Sequence, residues 1–121
     1  MNKVILLGNV CKDLEVTVTK KDMAIGKTTI AVNEGFGDNV KTTFVNIVVF
    51  GSRVDSLQKY LLKGAGVLVD GKLDINNVQD EDGNWNTYVS VIVNDIKITK
   101  FVDVEDNKNN KSKNNRKGGK R

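Results

Sequence analysis

The sequence predicts an all-β protein: a five-stranded Greek-key barrel with one helix between its third and fourth strands. Three observations carry that expectation. Runs of β-branched and aromatic residues recur from Val4 to Phe101, several alternating strictly between apolar and polar. Only one segment repeats its apolar residues at helical spacing. Turn signals at Lys20-Lys21-Asp22, Gly35–Asn39 and Asp80–Asn84 separate the runs. A chain of 121 residues, less a polar terminus, suits one hydrophobic core, and the domain is expected to span residues 1–104.

Val4–Val10 reads as a first strand, and Glu15–Thr19 as a short extended piece before the Lys20 turn. From Lys27 to Val32, Thr28, Ile30 and Val32 share one face. Gly35-Phe36-Gly37-Asp38-Asn39 is a loop with an aromatic at its tip. Thr42–Phe50 is the most informative strand. Val45, Ile47 and Val49 form a purely aliphatic core face, and Phe44, Asn46, Val48 and Phe50 form the other. Two aromatics around an amide make a face too apolar for ordinary surface and too polar for a second core. Ser52 then reads as an N-cap with Asp55 three residues on, Val54, Leu57 and Leu61 as the buried stripe of a helix, and Gly64 as its C′ residue. On the next strand Val67, Val69, Leu73 and Ile75 are expected inward, with Leu68, Asp70, Lys72 and Asp74 outward. After the Asp80–Asn84 hairpin, Trp85–Val93 returns with Val89, Val91 and Val93 alternating, extended by Ile96, Ile98 and Phe101. This order matches the OB-fold. A generic α+β sandwich fits the same pattern.

Charge is unevenly distributed. Residues 1–106 hold 12 Lys+Arg and all 15 Asp+Glu, whereas residues 107–121 hold 7 Lys+Arg with no acidic or apolar residue. The expectation is a mildly acidic body and, over residues 105–121, a disordered basic tail suited to a polyanionic partner. No apolar run approaches the roughly 18 residues that cross a bilayer, so no membrane association is expected. With no His and only Cys11, the chain lacks the usual general base, metal ligands and any internal disulfide. Asp80-Glu81-Asp82 reads as a solvated hairpin loop. The expectation is a cytoplasmic, non-catalytic binding protein with no cofactor and no metal.

Several stretches together carry a family resemblance: Met-Asn-Lys-Val-Ile-Leu-Leu-Gly-Asn at 1–9, Lys-Asp-x-Glu-Val at 12–16 and Phe-x-Asn-Ile-Val-Val-Phe-Gly at 44–51. Tyr60-Leu-Leu-Lys-Gly, Val69-Asp-Gly-Lys-Leu and the Asp82-Gly turn follow in order. Across residues 1–100 the chain resembles the bacterial and phage single-stranded DNA-binding proteins. The resemblance implies an OB barrel, homotetrameric assembly, a nucleoid-associated location and contact with proteins of replication and recombination. It also implies sequence-independent binding of single strands in replication, recombination and repair. Bases would stack on aromatics while lysines track phosphates.

Carried over by position, the resemblance places Phe36, Phe44 and Phe50 as stacking residues, Lys3 and Lys63 as basic contacts, and Tyr60 as a helix brace. Asn46 stands where a basic residue is common and shares the face of Phe44 and Phe50. Lys12, Lys41 and Lys72 complete the candidate phosphate contacts. The fourth strand departs from the family: Asp74-Ile-Asn-Asn-Val78 replaces a basic run ending in tryptophan, and Trp85 is the candidate to replace that ring. The tail is basic where the family's is acidic, so it is expected to supply phosphate attraction lost from that strand. An OB module that binds proteins or RNA, with a generic polycationic tail, is the alternative reading.

Overall fold

The structure, a computed structural model, describes residues 1–102. The expected domain end at 104 and the basic tail 105–121 lie outside the described residues. Strands β1 (Val4–Val10), β2 (Glu15–Val18), β3 (Ala24–Glu34) and β4 (Lys41–Phe50) precede helix α1 (Arg53–Gln58). Strands β5 (Gly66–Gln79) and β6 (Trp85–Lys100) follow it.

The sheet runs β1-β5-β6-β4-β3-β2 and closes through β1–β3 pairing at Asn9↔Ala31 and Val10↔Ile30. Five strands therefore form the ring, and β2 is added outside it along β3. Among ring strands the helix falls between the third and fourth, as expected for the OB-fold. One contact in the ring is parallel: β4 meets β6 only at Ile47↔Val91 and Val48↔Ile92. Toward the N-terminal ends of these two strands the sheet parts into two walls.

The aliphatic faces read from the sequence fill the barrel. Ile30, Ile47, Val49, Val67, Val69 and Val91 are buried, with Val54 and Leu61 from the helical segment closing one end. Buried Thr28 donates its hydroxyl to the Lys12 carbonyl at 2.6 Å, which satisfies its polar group inside the core. β6 keeps Val91 and Val93, then Ile96 and Ile98, directed to the core despite the change from odd to even numbering. Bulges allow this: the register with β5 shifts between Asp70↔Asp95 and Gly71↔Val93, and Asn94 is the extra residue.

Three local expectations are corrected. Leu73 and Ile75 are exposed rather than buried, as is Val89 opposite Ile75, because β5 and β6 run on past the barrel as a two-stranded arm. In-facing residues on that arm have no core to enter. Ser52 makes no side-chain cap; its own backbone is already helical, so its hydroxyl is not placed over the first turn. Gly64 does not terminate α1, which ends at Gln58. Its positive φ of 96° instead turns the chain so that its N–H donates to the Val10 carbonyl at 2.8 Å.

Candidate nucleic-acid interface

The outer faces of β3, β4, β6 and the arm enclose an open groove of about 600 Å³. Strand alternation places its residues. Opposite the core residues Ile47 and Val49, β4 presents Phe44, Asn46, Val48 and Phe50 outward. Their cross-strand partners on β3 are Ala31, Thr29, Lys27 and Ile25. On the arm, Asp74 pairs with Ser90 and Asn76 with Tyr88, and all four line the groove. One cross-strand row shows its layout: Glu15, Lys27, Val48, Ile92 and Lys72 are successive partners across β2, β3, β4, β6 and β5.

The polar groups are held in place. The Thr29 hydroxyl donates to Asn46 Oδ1 at 2.9 Å, and the Asn46 Nδ2 has no partner among the described residues. It is free to donate into the groove. Asn76 Nδ2 is engaged by Asp74 Oδ2 at 2.9 Å, which leaves its carbonyl oxygen as an acceptor. The charged side chains lining the groove are Lys12, Lys27, Glu15 and Asp74. Lys12 lies 3.4 Å from Glu15, whereas Lys27 makes no ion pair among the described residues. The wall is thus close to neutral and rich in amides, hydroxyls and rings.

Of the residues singled out from sequence, the structure brings Lys12, Asn46 and Phe50 into the groove, with Phe44 one pleat beyond Asn46 on the same face. Phe44 is 68% exposed and Phe50 39%, so both offer ring surface to solvent. Phe36 sits at the tip of the β3–β4 hairpin, 90% exposed between Gly35 and Gly37, which both take positive φ. A side chain on Gly35 would collide with the Asn39 carbonyl oxygen. Lys41 lies at the same end, paired across the hairpin with Glu34.

The remaining candidates lie elsewhere. Lys3 bonds Asp70 at 3.1 Å and shares a separate cleft with Lys72. Lys63 is at the barrel end where its backbone N–H donates to Asp13 at 2.8 Å. Trp85 pairs with Gln79 near the arm's end, and neither residue lines the groove. Tyr60, expected as a helix brace, stacks edge-on against Phe101 with ring centroids 5.6 Å apart. The Asp80 loop is a self-contained turn, with Asp80 Oδ1 accepting the backbone N–H groups of Asp82 and Asn84 at 2.9 Å each.

Lys27 and Tyr88 are among the groove residues that sequence reasoning did not single out. Lys27 was legible: with Thr28, Ile30 and Val32 inward, Lys27 must point outward beside Val48. The face of Tyr88 was legible by the same rule, opposite Val89, Val91 and Val93, but that this face borders the groove depends on how the arm meets β3 and β4.

A closed five-stranded barrel with this order, a parallel contact between its third and fifth strands and an aromatic, amide-lined outer face defines an OB-fold binding protein. The profile of the single-strand binding protein family matches residues 1–99, and the chain belongs to that family. It is 29% identical over 110 residues to single-stranded DNA-binding protein 1 of Staphylococcus aureus strain MSSA476, covering 88% of this chain and 70% of that protein. A single-stranded DNA-binding protein of S. aureus strain MRSA252 is 33% identical over 98 residues, covering 78% of this chain and 62% of the other. The single-stranded DNA-binding protein of Bacillus cereus is 32% identical over 96 residues, covering 77% and 56%. The matches thus span little more than half to about two thirds of these relatives. Among the described residues no helix is long and apolar enough to cross a membrane.

Proposed function

We propose that this protein binds single-stranded DNA without sequence preference, through the outer face of β3 and β4 and the groove beside it. The observation that carries the reading is the exposed stripe Phe36, Phe44, Asn46 and Phe50 on one hairpin. Phe44 and Phe50 are six residues apart on one strand, about 20 Å at strand rise, so an extended single strand can stack bases on both. A duplex cannot, because its bases are already stacked on one another. Lys12 and Lys27 supply phosphate contacts within the groove, and the cations of residues 107–121 add attraction that the neutral wall lacks. Membership of the single-strand binding protein family and the names of the relatives support this reading, and service in replication, recombination and repair belongs to the same proposal.

Assembly as a homotetramer belongs to the same proposal. On its side away from β5, β1 has no strand partner from Val4 to Gly8 among the described residues. Ile5 and Leu7 are each 62% exposed there, with Leu68 beside Leu7 in the β1–β5 ladder. A bare strand edge next to an apolar patch fits a second copy of the same chain.

The test is a titration of labelled oligo-dT with the wild-type chain and a Phe36, Phe44, Phe50 triple alanine variant, with duplex and oligo-U as competitors. The reading requires tight binding of oligo-dT, its loss in the triple variant and weak competition by duplex. Equal competition by duplex, or unchanged binding by the variant, overturns it in favour of a polycationic tail on a protein-docking barrel. Stronger competition by oligo-U than by oligo-dT points to RNA.

A further inference from the structure

The groove has two chemically different walls, and this sets which way a strand lies in it. On the β2–β3 side stand Lys27, with no ion pair among the described residues, and, just before β2, Lys12, which lies 3.4 Å from Glu15, so this side carries two cations to one carboxylate. Across the groove, the arm contributes Asp74, Asn76, Ser90 and Tyr88, a wall with a carboxylate and no cation. Lys72, the next cation along β5, lies in the neighbouring cleft beside Asp70 and Lys3. A phosphate placed against the arm would meet Asp74 and no counter-charge. A base placed there meets the ring of Tyr88, 59% exposed, and the carbonyl oxygen that Asn76 keeps free.

We propose that single-stranded DNA runs through this groove with its phosphates along Lys12 and Lys27 and its bases turned toward the arm, where Tyr88 is a stacking platform. The assignment rests on the single-strand reading above and adds the strand's orientation and the residue that receives the bases. Tyr88 lies on the same arm face as Val78, one pleat along and on the adjacent strand, so β6 supplies the ring that β5 lacks. Trp85, close by in sequence, lies outside the groove.

The experiment titrates the full chain with labelled oligo-dT and with an abasic oligomer of equal length, at several salt concentrations. The variants are Tyr88→Ala, Tyr88→Phe and Lys27→Gln. Losing one stacked base lowers affinity about 5- to 150-fold. Tyr88→Ala is expected to show that loss on oligo-dT, no change on the abasic oligomer and an unchanged salt slope. Tyr88→Phe behaves as wild type, which separates stacking from loss of fold. Lys27→Gln weakens both oligomers alike and flattens the log–log salt slope by about 0.7. An equal effect of Tyr88→Ala on both oligomers, no effect on oligo-dT, or an unchanged slope in Lys27→Gln overturns the orientation. Failure of the wild-type chain to bind oligo-dT overturns the single-strand reading itself.

Discussion

The guanidinium of Arg53 spans two consecutive carbonyls of β6, donating through Nη1 to Asn94 and through Nη2 to Val93, each at 2.6 Å. Asn94 is the extra residue of the β6 bulge, and there β4 has already parted from β6. Asn94 itself has no cross-strand partner on β5. A residue at the start of α1 thus completes the barrel where the sheet cannot. Arg53→Ala is expected to cost about 1–3 kcal/mol of stability, the range for stranding a partly buried acceptor, here the Val93 carbonyl. Arg53→Lys should recover only part of it, since one ammonium does not reproduce the planar fork. Urea unfolding of the three chains checks both expectations.

Gly71 sits one residue past the bulge on β5, where a Cβ would collide with the carbonyl oxygen of Ile92 and crowd Val91. Ile92 also pairs with Val48 across the parallel contact. Gly71→Ala is therefore expected to strain the barrel seam by roughly 1–3 kcal/mol, as overpacking does, and to loosen the floor of the groove. The check is a lowered melting temperature together with faster amide exchange at Val48 and Ile92.

Phe44 and Phe50 differ in how much ring they show, 68% against 39%. Single alanine variants should accordingly rank, with Phe44→Ala weakening oligo-dT binding about 5- to 150-fold and Phe50→Ala less. Phe50 also faces Ile25 across the hairpin, so its removal should cost more stability than removal of Phe44. Affinity and melting temperature measured on the same two variants resolve the split.

The tail separates attraction from recognition. A chain ending at Asp106 is expected to keep its preference for oligo-dT over duplex while its salt slope flattens by about 0.7 for each phosphate the tail engages, up to about 5 for its seven charges. Binding isotherms at four or more salt concentrations give the slope directly.

Leu7→Glu places a carboxylate in the apolar patch on β1 without touching the core, because Leu7 points outward. The expected outcome is a smaller assembly with intact secondary structure, read by sedimentation velocity and circular dichroism. An unchanged sedimentation coefficient would put the subunit contact elsewhere.

The chain's own residues determine the strands of the barrel, its aliphatic core and the aromatic face of β4. Each is written as local alternation, and period two sends Ile47 and Phe44 to opposite sides wherever the strand lies. Lys27 was legible by the same rule. Tertiary structure decided what alternation cannot encode. Leu73 and Ile75 carry an inward pattern but extend past the end of the barrel, so nothing covers them. Trp85 and Tyr88 are three residues apart, so alternation sends them to opposite faces of β6, but only the meeting of the arm with β3 and β4 decides that the tyrosine's face borders the groove. A side chain's face follows from its neighbours along the chain. What stands opposite that face depends on strands that meet from distant parts of the sequence, and their meeting is settled by packing and hydrogen-bond register.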